Sequence, residues 1–133
     1  MRIFIAVDPG EEIRKGLQRI IDVMEQTGAD VKWVTAKNIH LTLRFIGETD
    51  ERGVALAKES VEAAASGIAP FNISLEGTGA FPDMKRPRVF WAGIKEGADK
   101  LVSIAGSLEK ELTARGFSSA DHPFSPHLTL GRT

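Results

Sequence analysis

Apolar positions along this chain change spacing several times, and the changes mark out its elements. Ile3 to Val7 is a short unbroken apolar run, the pattern of a buried strand. Asp8-Pro9 follows as an N-cap with proline in the first helical position and Glu11 in the third. Ile13, Leu17, Ile20, Ile21 and Met24 then recur at helical spacing, and Gly28 is placed to end that helix. The runs from Val31 to Val34 and, more strongly, from Ile39 to Ile46 predict strands. Gly47 closes the second run, and Thr49 or Asp50 caps a helix carrying Val54, Leu56, Ala57 and Val61 as far as Gly67 and Pro70. Phe71, Ile73 and Leu75 alternate with polar residues as in a half-buried strand. The glycines and prolines from Gly77 to Pro87 predict a loop.

The pattern then restarts. Val89-Phe90-Trp91-Ala92 echoes Ile3-Phe4-Ile5-Ala6, and a helix follows with Leu101, Ile104, Ala105, Leu108 and Leu112 on one face and Gly116 past its end. The tetrapeptide His-Leu-Thr-Leu occurs at residues 40–43 and again at 127–130, 87 positions later. Phe4 precedes His40 by nearly the interval that separates Phe90 from His127. Matching order, elements and spacing indicate a duplicated unit within one domain, residues 1–133: a first repeat of about 1–87 and a second of about 88–133. The second repeat stops soon after its tetrapeptide, so the counterpart of Glu48 to Pro87 is expected to be missing and a sheet edge left uncovered.

Side chains alternate between the faces of a strand, so each tetrapeptide puts histidine and threonine on one face and both leucines on the other. An unperturbed imidazole titrates near pH 6.5, so of two histidines one can be neutral while the other is protonated. Such a pair suits in-line displacement at phosphorus: the neutral ring takes a proton from water, and the protonated ring gives one to the leaving oxygen. Thr42 and Thr129 would hydrogen-bond the non-bridging oxygens. One such tetrapeptide is ordinary strand sequence. Two copies at matched places in a repeat point to a site. Asp121, His122 and His127 offer a metal-binding alternative, but Pro123 and Pro126 interrupt them and no ligand spacing is present. No metal and no cofactor is expected.

Composition narrows the field. Apolar residues make up 42% and charged residues 26%, and 17 basic against 18 acidic side chains leave a net charge of −1. Any basic surface for nucleic acid must therefore be local. The absence of cysteine excludes disulfides and thiol catalysis. The apolar opening is too short for a signal sequence, and no stretch approaches the roughly 18 apolar residues of a membrane span. A soluble cytoplasmic protein with no membrane partner is expected.

His40-Leu41-Thr42-Leu43-Arg44-Phe45-Ile46-Gly47 and Ser125-Pro126-His127-Leu128-Thr129-Leu130-Gly131-Arg132 resemble the paired His-x-Thr-x motifs of the two-histidine phosphoesterases. More narrowly they resemble the LigT-like RNA 2′,3′-cyclic phosphodiesterases, also called 2′–5′ RNA ligases. Arg2 to Asp8 and Arg88 to Gly93 extend the likeness over nearly the whole chain. The resemblance implies a bilobal α+β fold in which two mainly antiparallel sheets face each other across a cleft, with helices outside. It also implies a longer second lobe, whose C-terminal part this chain would lack. The implied activity is metal-independent hydrolysis of a terminal 2′,3′-cyclic phosphate to a 2′-phosphate, on tRNA-like or other RNA ends. His40 would be the proton donor to the 3′ oxygen and His127 the base, with Thr42 and Thr129 holding the phosphate. Oligomeric state is left open, with a monomer expected for a complete fold.

Further candidates are weighed against plainer roles. Arg44 shares the strand face of His40 and Thr42, and reads equally as a phosphate contact or a solvated edge residue. Arg132 follows the second motif, but alternation places it opposite His127. Lys85, Arg86 and Arg88 form a small basic cluster for which solvated loop charges are the plainer account. Trp91, Trp33, Phe45 and Phe81 could stack on unpaired bases. Phe45 falls on the leucine face and is expected in the core, which is also the default for Trp33 and Trp91. Gly77-Thr78-Gly79 lacks the lysine and helix of a phosphate loop. Two other readings stay open. One is a phosphodiesterase of the same fold acting on small cyclic nucleotides or 2′–5′ oligoadenylates. The other is a nucleotide- or RNA-binding module, or an inactive fragment, in which the histidines only hold phosphate.

Overall fold

A computed structural model describes residues 1–81 and 85–133. Its elements run β1 (Arg2–Val7), α1 (Glu11–Glu25), β2 (Lys32–Trp33), a 3-10 turn (Ala36–Asn38), β3 (Leu41–Glu48), α2 (Glu51–Ala65), β4 (Leu75–Phe81), β5 (Val89–Ile94), α3 (Ala98–Ala114) and β6 (His127–Arg132). The class is α+β, as the sequence implies.

The helices follow the apolar spacing, with two differences. α1 begins later than a cap at Asp8 would place it. Its N-cap is Gly10, at a φ of 89° that favours glycine, and the Asp8 carboxylate accepts the Gly10 N–H at 2.8 Å instead of capping the helix. α2 does start at the expected cap, where Asp50 accepts the Gly53 N–H at 2.9 Å. However, α2 buries Gly53, Ala57, Ser60 and Ala64, and Val61 is exposed. The buried face of this helix is thus made of small side chains. α3 buries Leu101, Ala105, Leu108 and Leu112, and Gly116 at φ 95° ends its last turn.

The strands form two sheets. β1 and β3 pair as a two-stranded sheet, and mutual backbone bonds between Met1 and Thr49 tie the start of one to the end of the other, an antiparallel arrangement. The second sheet has four strands in the antiparallel order β2-β6-β5-β4. β4 departs from expectation. The Phe71–Ile73 alternation is not a strand, whereas Gly77 to Phe81, read as loop, pairs with β5. A register shift between Leu75 and Thr78, beside Gly77 at φ 70°, lets so glycine-rich a stretch join the sheet. Pro82 to Met84, the next part of the expected loop, lie outside the described residues.

Two compact units result, and each draws on separated segments of the chain. Unit 1 comprises Met1–Val7, Thr42–Phe71 and Asp99–Ser125; unit 2 comprises Asp8–Leu41, Asn72–Ala98 and Pro126–Thr133. In unit 1 the buried Ala64, Leu108 and Leu112 pack with Ile5, Leu43, Ile46 and Phe117. α3 thus covers β1 and β3. In unit 2 the four-stranded sheet and α1 contribute the fully buried Leu17, Leu128 and Leu130, and Ile21 is nearly as deep.

Candidate active site

The second His-Leu-Thr-Leu forms the start of β6. Leu128 and Leu130 are fully buried, His127 is exposed and Thr129 is half-buried, which is the alternation the residues predict. Trp91 on β5 stands directly across from Thr129, and its ring lies 6.2 Å from the His127 imidazole, centroid to centroid, at 54°. The indole is seated over Gly79 of β4: a Cβ at that glycine would lie 2.2 Å from Trp91 Cζ2. Glycine at 79 is what allows Trp91 to lie flat along the sheet and reach toward His127.

Arg132 requires a correction. Trp91 pairs with Thr129, Phe90 with Gly131 and Val89 with Arg132, so Leu130 is an extra residue in β6. Val89 and Trp91 share a face of β5, and the bulge therefore returns Arg132 to the face that carries Thr129 and His127. Simple alternation, which ignores bulges, puts it on the other side. Close approach of β2 is permitted by Gly131, where a Cβ would meet Trp33 and Val31 at 2.8 Å. Trp33 itself packs on Phe90, with ring centroids 5.6 Å apart.

His40 precedes β3, after the 3-10 turn, with buried Ile39 on one side and fully buried Leu41 on the other. Its Nδ1 lies 2.9 Å from the Asn38 carbonyl oxygen. A carbonyl only accepts, so Nδ1 carries a proton, and Nε2 is the nitrogen at which a proton is gained or lost. Asp8 and Arg14 gather beside this segment. Arg14 Nη1 meets Asp8 Oδ1 at 2.8 Å, and Nη2 donates to the Ile39 carbonyl at 3.4 Å. The Gly10 N–H, and after it the Arg14 guanidinium, hold the Asp8 carboxyl below the usual carboxylate range. The charge of His40 acts on Asp8 in the same direction.

Five of the seven candidate residues, His40, Trp91, His127, Thr129 and Arg132, belong to unit 2. Thr42 and Arg44 belong to unit 1. Thr42 is half-buried. The Arg44 side chain is only 9% exposed: Nε lies 3.2 Å from Glu109 of α3, Nη2 donates to the Ser118 carbonyl and Nη1 to that of Phe45. Its Nε is buried with no hydrogen-bond geometry to Glu109, so the contact is an ion pair. Arg44 is thus engaged within unit 1, neither solvated nor presented to a phosphate. Phe45, expected in the core, is 72% exposed and lies against Phe4, with centroids 5.8 Å apart. Leu43 and Ile46 pack on the unit 1 core, while Phe45 and Phe4 lie together on the exposed side of β3 and β1.

Sequence reasoning missed Asp8 and Arg14. A helix-cap role accounts for Asp8 too readily, and nothing in spacing alone distinguishes Arg14 from the other charges of α1. Asp121 and His122 lie in unit 1 and His127 in unit 2, and among the described residues no three His, Cys, Asp or Glu side chains converge as a metal-binding group. Among the same residues no helix is long and apolar enough to cross a membrane.

Comparison with known proteins gives a consistent result. Residues 7–91 match the family described as LigT-like phosphoesterase. The chain is 39% identical over 132 residues to an RNA 2′,3′-cyclic phosphodiesterase of Thermotoga maritima, covering 99% of this chain and 70% of that one. It is 44% identical over 117 residues to the Aeropyrum pernix protein of the same name, with 87% and 65% covered. Among solved structures, one from Thermus thermophilus superposes with a TM-score of 0.85 at 33% identity, over 99% of this chain and 74% of that one. Escherichia coli LigT complexed with 3′-AMP superposes with a TM-score of 0.73 at 27% identity, over 98% and 72%.

Proposed function

The chain belongs to the LigT-like phosphoesterases, and we propose that it hydrolyses RNA ends bearing a 2′,3′-cyclic phosphate, leaving a 2′-phosphate. Relatives of that name match nearly its whole length. The observation that carries the reading is the paired His-Leu-Thr-Leu, both of whose histidines are exposed and fall in one compact unit.

In this reading water attacks phosphorus while His127 takes its proton. The bond from phosphorus to the 3′ oxygen breaks, and His40 Nε2 delivers a proton to that oxygen. Thr129 hydrogen-bonds a non-bridging oxygen, whose charge grows in the transition state. Arg132 supplies a cation on the sheet face of His127, and Trp91 a partly exposed aromatic surface beside it for a terminal base. The two imidazoles complete the proton transfers, so the step calls for no metal. With a 5′-hydroxyl in place of water, the same groups would join 2′–5′ ends: the base takes the hydroxyl proton, the new P–O5′ bond forms and the 3′ oxygen leaves protonated. Cytoplasmic RNA with such termini, tRNA-like or other, is the substrate class proposed.

Incubation of a short RNA ending in a 2′,3′-cyclic phosphate, in excess EDTA, tests this. The expected product is the 2′-phosphate, formed faster than product from a small cyclic nucleotide. Saturable binding with no product would instead indicate a binding module.

A further inference from the structure

We propose that Arg14 is a positioning residue for His40, acting with Asp8; the inference rests on the reading of His40 as the proton donor. Arg14 stands in the first turn of α1, where its N–H binds the Gly10 carbonyl at 3.1 Å. The side chain is 13% exposed, and its Nε is buried with no hydrogen-bond partner among the described residues. A guanidinium so placed costs free energy that an apolar residue on α1 would not. What it does in return is span two pieces of chain. Nη1 binds the Asp8 carboxylate, which also receives the Gly10 N–H, and Nη2 binds the carbonyl of Ile39, the residue just before His40. Glu11 adds a second, more distant carboxylate at 3.7 Å.

The backbone that carries His40 is therefore held at three points. The Ile39 N–H closes the 3-10 turn on the Ala36 carbonyl at 3.1 Å, the Ile39 carbonyl is held by Arg14, and Leu41 is locked in the core. The Asn38 carbonyl that accepts from His40 Nδ1 belongs to that same turn, so moving the turn moves the ring's anchor. Asp8, ionised through the physiological range, is the charged end of this brace and interacts with His40 electrostatically. A proton donor misplaced by about 1 Å can cost on the order of 100-fold in rate, so a brace next to the ring's anchor acts on turnover more than on affinity.

The experiment compares Arg14→Met, Arg14→Lys and Asp8→Asn with wild type in steady-state hydrolysis of the same RNA. Nitrogen-15 spectra of the His40 ring and thermal unfolding accompany it. Arg14→Met is expected to lower kcat about 10- to 100-fold with KM nearly unchanged, and to average the Nδ1–H signature of His40. Arg14→Lys keeps the charge but cannot fork between Asp8 and Ile39, and is expected to recover only part of the rate. Should Arg14→Met fail to fold, Asp8→Asn, at an exposed carboxylate, is expected to give a smaller loss in the same direction. An unchanged kcat in a folded Arg14→Met protein, or an unchanged His40 signature, would overturn the inference. An inactive wild type would instead overturn the functional reading, and the His40 spectra would still decide the role of Arg14.

Discussion

At the scale of single residues, hydrogen-bond partners separate side chains that the sequence treats alike. His40 and His127 occupy equivalent places in the repeat, yet one ring is fixed by a backbone carbonyl and the other lies beside an indole. An imidazole whose Nδ1–H is committed to a carbonyl presents one titrating nitrogen, which is what a directed proton donor needs. Arg44 and Arg132 divide in the same way. The first is bound to Glu109 and to two carbonyls, while the second is exposed on the face of His127. Arg44→Met is accordingly expected to act on stability. It should lower the unfolding free energy by about 1–3 kcal/mol, since Glu109 loses its partner in a partly screened position. KM for RNA should stay within about twofold, and urea titration beside steady-state kinetics separates the two effects.

At the scale of elements, the apolar pattern made most of the fold legible. Helix spacing located α1, α2 and α3, and the alternation in His127 to Leu130 told which side chains face out. What it missed has a common cause. The pattern reads local periodicity, and bulges and close approaches depend on the partner strand. Gly77 to Phe81 read as loop because glycine disfavours a strand, but Gly79 is needed to accommodate Trp91, and β5 supplies the pairing. Arg132 changed faces because of one extra residue at Leu130, invisible without β5 beside it. Phe45 lies outside because it pairs with the likewise exposed Phe4 of β1, a cross-strand contact that its own strand does not reveal. Gly79→Val tests the most specific of these contacts. Its side chain would collide with the indole, so thermal unfolding should show a loss of about 1–3 kcal/mol. Trp91 fluorescence should shift as the ring leaves its seat, and unchanged emission would contradict the contact.

At the scale of the whole molecule, each compact unit joins segments far apart in sequence: α3 packs on β1 and β3, while β4 pairs with β5. Residues 1–87 alone would lose α3 from unit 1 and β5 and β6 from unit 2. That fragment is expected to show no cooperative urea transition, whereas the 133-residue chain is expected to unfold cooperatively.

The most direct test of the account is the initial rate of hydrolysis of an RNA 2′,3′-cyclic phosphate by wild type, His40→Ala and His127→Ala, with thermal unfolding of each measured in parallel. Both histidines are exposed, so neither substitution should disturb the fold, and each should lower the rate by about 10²–10⁴-fold. Either variant turning over at close to the wild-type rate would contradict two-histidine catalysis by this chain.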